Sequence, residues 1–310
     1  MTGLELINKG VCGEGSLVGY NMSKGCAISF KDVKEIWRTP ADFEFDLTVD
    51  FDEAYIKSLQ TSGKLSIIKN ITDFPEGGTD NLIETLPDNT EIDAGDAKYK
   101  YTPVWAQDLW LNVQLGKLEG QYNNRFVFVD SNGNILWTEG STDTTARGFL
   151  TSRTKRGKTT LQSPGVGAKQ SLEFQLANTY ELEDNVLLVS ADLLDFDPRL
   201  VEPIVQAYIK FASVPVAGDT SLLFEVVVDR GRKDSIAGLT NLGDFKVVVN
   251  GSIDSDSTAT YDSVTNRYTL PLVVPTPLKA NDIVEVSING VKEVVGDALY
   301  SSNTAKITTL

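Results

Sequence analysis

Apolar and polar residues alternate along most of this chain with a period of two, in short runs rich in Val, Ile, Phe, Tyr and Thr separated by clusters of Gly, Asn, Asp and Pro. Successive side chains of a strand point to opposite faces, so the pattern predicts short antiparallel strands. The plainest run is Phe43 to Phe51, where Phe43, Phe45, Leu47, Val49 and Phe51 alternate with Glu44, Asp46, Thr48 and Asp50. It predicts one strand with an apolar face turned inward and an acidic face turned to water. Phe126 to Asp130 and Ile135 to Thr138 flank Ser-Asn-Gly-Asn, which predicts a β-hairpin with Asn132 and Gly133 at the positive-φ positions of its turn. Val186 to Ser190 predicts a further, buried strand.

Helix is the minority component. Leu111, Leu115 and Leu118 fall on one face of an amphipathic helix expected over Leu109 to Leu118 and ended by Gly120. A turn or two of helix is expected over Asp52 to Leu59, closing at Thr61-Ser62-Gly63. Two prolines, Pro198 and Pro203, break regular structure and place a domain boundary between residues 206 and 207. Beyond it the strand-like runs are Tyr208 to Ala212, Ser221 to Asp229, Asp244 to Asn250, Thr258 to Tyr261, Tyr268 to Val274, Asp282 to Ile288 and Ala305 to Thr309. About seven short strands with frequent turns fit an immunoglobulin-like sandwich, and the missing Cys-Trp-Cys core means that the antibody-type subclass is not implied. The expected fold is mostly β: an antiparallel β-sandwich or barrel domain with a short flanking helix over residues 1–206, followed by an Ig-like β-sandwich over 207–310.

With 310 residues, 41% of them hydrophobic, the chain has apolar material for two cores. Its 43 acidic and 28 basic residues leave a net charge of -15, a field that repels phosphate backbones and anionic lipid headgroups. Specific nucleic-acid binding and membrane association are not expected. No run approaches the roughly 18 apolar residues of a membrane span, and Met1 to Lys9 lacks the pattern of a secretory signal. Synthesis in a cytosol is therefore expected, with release of assembled particles by lysis as a route out. The complete absence of histidine removes the commonest general base and metal ligand. Cys12 and Cys26 lack the spacing of a zinc ribbon or redox motif and read as reduced thiols, with a local disulfide as the alternative.

Three carboxylates at Asp192, Asp195 and Asp197 and two at Asp254 and Asp256 are the cation-ligand candidates. Neither set has the glycine and terminal glutamate of an EF-hand loop, and both read as turns with solvated acids. A carboxylate-dependent glycosidase needs two acids held across a cleft, which spacing along a chain does not establish. Neither Gly-rich phosphate loop motif occurs. No catalytic residue, metal or cofactor is expected, and the chain reads as a non-enzymatic protein. Trp37, Trp105, Trp110 and Trp137, with Tyr99 and Tyr101, read mainly as core aromatics; Trp105 and Trp110, beside the polar Gln107 and Asp108, are the candidates for a subunit contact.

One basic patch stands out in this acidic chain: Arg147, Arg153, Lys155, Arg156 and Lys158 around Gly157. It reads either as a solvated hairpin tip or as an assembly arm, near residues 147–168, docking on the acidic face of Glu44, Asp46 and Asp50 in a neighbouring copy. The order of acidic-faced strand, short helix, Asn-Gly hairpin, basic arm, Pro-Gly loop and strand Ser171 to Ala177 resembles the tail-tube proteins of long-tailed bacteriophages. The stretch 207–310 is similar to bacterial Ig-like modules found on adhesins and phage virion proteins. The likeness spans most of the chain and rests on pattern and domain order, with no short diagnostic motif. It implies a virion structural protein that forms stacked rings around a DNA conduit, carries an outward Ig-like domain, and has itself and other virion proteins as partners. Alternative readings are a capsid, jelly-roll or decoration component of a particle, and an adhesin or carbohydrate-binding module using the Ig-like loops.

Overall fold

The computed structural model describes residues 2–3, 30–79, 82–85, 91–95, 98–106, 111–161, 167–229, 233–254, 258–273, 277–294 and 298–310. Cys12, Cys26, Trp110 and Asp256 lie outside them. Strands dominate and helices are short, as the period-two pattern demands. The chain divides into two compact units, Met1–Val201 and Glu202–Leu310. The strand Val205–Phe211 lies wholly in the second, so the turn from one unit to the next falls a few residues before position 206.

In the first unit the strands are β1 (Val33–Pro40), β2 (Phe45–Asp46), β3 (Ser66–Ile68), β4 (Glu76–Thr79), β5 (Leu82–Thr85), β6 (Glu91–Gly95), β7 (Lys98–Tyr101) and β8 (Val104–Ala106). They are followed by β9 (Asn124–Asp130), β10 (Ile135–Glu139), β11 (Thr145–Arg147), β12 (Phe149–Arg156), β13 (Lys169–Leu176) and β14 (Val186–Val189). Helices α1 (Glu53–Thr61), α2 (Leu111–Leu115) and α3 (Tyr180–Glu183) are interspersed. Twelve of the strands join one sheet along the path β2-β11-β10-β9-β12-β13-β7-β4, with β1, β3, β8 and β14 as side branches, and β5 pairs with β6 alone.

Strand β9 is the centre of this unit. All seven of its residues are buried, which fits the unbroken apolar run Phe126 to Val129 at its middle. Val127 and Val129 point into one core with Trp37, Trp137, Ile56 and Leu59, where α1 packs. Phe126 and Phe128 point into a second with Phe149, Phe174, Tyr101, Trp105 and Leu115, closed by β13, β8 and α2. The Asp52 side chain caps α1 by accepting from the Tyr55 N–H at 2.7 Å, and Gly63 takes φ +72 just past its end. After Asp130 only Gly133 is at positive φ (+90); Asn132 is not. The Asp130 carboxylate replaces the second positive-φ residue as organiser of that turn: fully buried, it accepts from the backbone N–H of Lys31, Asn132 and Asn134 and from Asn134 Nδ2.

Two expected strands are altered. Phe43 to Phe51 is regular only at β2, because Asp46 Oδ1 accepts from Thr48 N at 2.9 Å and Thr48 Oγ1 at 2.6 Å, a local turn that competes with strand pairing. Phe45, Leu47 and Phe51 still bury, while Val49 is exposed. Strand β14 buries only Val189 fully.

The second unit has β15 (Val205–Phe211), β16 (Ser221–Val228), β17 (Phe245–Val249), β18 (Ser252–Asp254), β19 (Thr260–Asp262), β20 (Arg267–Pro271), β21 (Ile283–Ile288), β22 (Lys292–Glu293), β23 (Leu299–Ser302) and β24 (Ala305–Thr308). One sheet runs β19-β20-β16-β15-β23-β22 and the other β18-β17-β21-β24. Lettered A to G, the first carries D-E-B-A and the second C-F-G with a short extra strand beside C, the Greek-key layout of an immunoglobulin-like sandwich. Its core lies between the sheets, with Phe224, Tyr268 and Ile209 from one and Phe245, Val247 and Val286 from the other. Tyr268 is fully buried, and its hydroxyl donates to the Ile236 carbonyl at 2.8 Å and accepts from the Leu239 N–H at 3.3 Å. Burial pushes this phenol up to about 12.

Candidate assembly surface

The basic patch folds as strand β12 and its continuation toward β13. Thr154 pairs with Phe174, Arg156 with Leu172, and an isolated bridge links Thr160 to Lys169, so the two strands form a long hairpin. A bulge between Thr151 and Arg153 places Ser152 and Arg153 both on the outside and returns Thr154 to the core. Arg153, Lys155 and Lys158 are exposed and belong to no ion pair among the described residues. Lys155 sits across from Glu173, whose carboxylate bonds Lys100 at 2.9 Å. Arg156 is held at 3.5 Å from Glu119.

The hairpin is not a loose arm along its length. Strand β8 pairs with β13 at Lys169, Gln170 and Ser171, and Asn112 of α2 donates to Thr159 Oγ1 at 2.6 Å. Beyond Thr160, Leu161 is 68% exposed. Beside the cations a concavity of 480 Å³ is lined by Asn112, Glu119, Lys155, Arg156, Lys158 and Glu173.

Arg147 does not belong to this surface. It lies at 3.7 Å from Glu44 and 3.8 Å from Glu181, in a network whose centre is the buried pair Arg125–Glu181 at 3.1 Å. Arg125 also donates to the carbonyls of Ala41 and Gly148, both at 2.8 Å, and the second Glu181 oxygen accepts from the Leu150 N–H at 2.7 Å. Nothing in local sequence pattern marks this pair, since its members are 56 positions apart.

The acidic face expected over Glu44, Asp46 and Asp50 does not form as such. Glu44 is committed inside its own unit, accepting from Ser141 N and Oγ and from Thr145 Oγ1. Partial burial opposes its charge, but those hydrogen bonds and Arg147 together hold its carboxyl below the ordinary range. Asp46 is exposed, and its hydrogen bonds from Thr48 likewise hold it low. Asp50 is exposed and forms an isolated antiparallel bridge with Thr2.

Trp105 is 1% exposed and its indole N–H donates to the Lys69 carbonyl at 2.8 Å, which corrects its assignment to a subunit contact. Trp37 and Trp137 are core residues as well. Tyr99 donates to Glu183, and burial among aromatics raises the Tyr101 phenol above its ordinary range.

Of the acid clusters, Asp197 is bound by Arg199 at 2.6 Å and both lie in a short turn. Hydrogen bonds from Arg199 lead in holding the Asp197 carboxyl low. Among the described residues no group of three or more carboxylates or thiols is placed to hold a metal ion. No helix among them is long and apolar enough to cross a membrane.

A second concavity, not anticipated from the sequence, measures 630 Å³ and opens over Phe74, Tyr101 and Phe128. The stacking of Phe74 on Tyr101 at 5.1 Å gives it an aromatic floor, a long-range product of β7 meeting the segment before β4. No model of a known protein family matches this chain, and no curated protein matches it either.

Proposed function

We propose that this chain is a non-enzymatic structural subunit that assembles with copies of itself, in a virion where it forms the stacked rings of a tail tube. The carrying observation is the exposed row of Arg153, Lys155 and Lys158 on the β12–β13 hairpin, cations in no ion pair among the described residues, on a chain of net charge -15. A charge of the minority sign left outside any ion pair among the described residues, on a strand held between two others in its sheet, favours association with a surface of the majority sign, and copies of the same chain supply that surface. The setting comes from the resemblance in element order and from the Ig-like unit, which in this reading faces outward. Predominantly acidic subunits suit a conduit whose wall must not retain phosphate. Static light scattering tests the reading: mass rises with concentration at low salt and falls as salt screens the contacts. A monomer at every concentration in low salt contradicts it.

A further inference from the structure

We infer that the concavity over Phe74, Tyr101 and Phe128, together with the outer edge of β4, is the receptor for the hairpin tip of a second copy of this chain. This rests on the self-association proposed above and names the surface that meets the basic hairpin, a role the Glu44 side chain is not free to take.

Three independent features converge there. The floor is apolar: Phe74 packs against Tyr101 at 5.1 Å and Phe128 at 5.4 Å, and the space above them holds 630 Å³. That is room for an aliphatic side chain with its neighbours. The rim carries Asp32, Asp73 and Glu76, all exposed and with no ion pair among the described residues. Lys31 and Lys34 also border it, so the rim is acidic by one charge, a bias that favours a cationic visitor without demanding a highly charged one.

Beside the pocket runs β4, the terminal strand of the sheet path, with Glu76, Gly77, Gly78 and Thr79 all exposed. Gly77 and Gly78 present backbone without side chains, and Gly78 is bound to stay glycine: at φ +135 its Cβ would fall 1.7 Å from the Lys98 carbonyl oxygen. An edge this bare is a template for one more strand, whose main chain pairs with β4 while a side chain enters the adjoining pocket.

The hairpin offers the complementary set. Leu161 is an exposed aliphatic side chain just past the Thr160–Lys169 bridge, and Lys158 lies three residues before it. Tip and receptor are different surfaces of one unit, so the contact is heterologous and propagates from copy to copy into a closed ring or an open filament.

The test is sedimentation velocity on the full chain and on Asp73→Lys/Glu76→Lys, Lys158→Glu and their combination, with circular dichroism to confirm folding. These side chains belong to no ion pair among the described residues, so the variants are expected to fold. Each charge change is expected to weaken self-association on the order of tenfold, and the combination to recover most of it. Leu161→Asp is expected to weaken it further. Wild-type association that all these variants retain unchanged overturns the receptor and leaves self-assembly standing. A wild-type chain that remains monomeric overturns both.

Discussion

Replacing Glu181 by alanine strips the carboxylate that, among the described residues, is bonded to Arg125, at a site where Arg125 is 5% exposed. The guanidinium keeps its bonds to the Ala41 and Gly148 carbonyls but loses its counter-charge, and the Leu150 N–H loses its acceptor. Removing one member of a buried ion pair typically costs about 3–5 kcal/mol, because the remaining charge stays desolvated. For a unit of this size each kcal/mol lowers the melting temperature by roughly 2–4 °C, so a fall of about 6–20 °C is expected.

The double replacement Arg125→Met with Glu181→Leu removes both charges, at the cost of the bonds to the Leu150 N–H and to the Ala41 and Gly148 carbonyls. It is expected to be less destabilised than Glu181→Ala alone by about 2 kcal/mol. Differential scanning calorimetry of the full chain, supported by urea titration, measures both. A Glu181→Ala variant that loses less than about 1 kcal/mol would refute the reasoning, since it would mean that the pair behaves like a solvated surface bridge.

Gly78→Ala is expected to unzip β4 from β7, because no L side chain fits at φ +135 against the Lys98 carbonyl; faster amide exchange over Lys98–Tyr101 detects it. Tyr268→Phe removes a buried hydroxyl bonded to Ile236 and Leu239 and is expected to cost about 1–2 kcal/mol in thermal unfolding. Glu44 has a folded value below its ordinary 4.5, so it contributes stability that is present above pH 4.5 and lost as pH falls through the depressed value. The acid-unfolding curve of Glu44→Gln is accordingly expected to be flatter than wild type below that pH.

Much of the architecture is legible in residue order. The apolar spacing of Leu111, Leu115 and Leu118 places a helical turn and a following 3-10 turn over Leu111–Leu118, and Asn132-Gly133 marks the β9–β10 turn. In the Ig-like unit every expected run overlaps an observed strand, with ends displaced by up to three residues at β15, β19 and β20. What escaped is of two kinds. Strands β18, β22 and β23 are two to four residues long, too short for periodicity to register, and β23 pairs with β15 in parallel, an arrangement no local turn announces. The Phe43 to Phe51 run has a strand's alternation, yet the Asp46–Thr48 hydrogen bonds bend the chain within it. Surfaces were harder still. The exposed cations of β12 are visible as a cluster, whereas the engagement of Glu44 and the burial of Trp105 involve partners far along the chain, Thr145 and Lys69.

Negative-stain electron microscopy of the purified chain at low salt tests self-assembly most directly. Rings, or tubes built from stacked rings, are the predicted images. A field of separate, unassociated particles at high protein concentration would contradict the account.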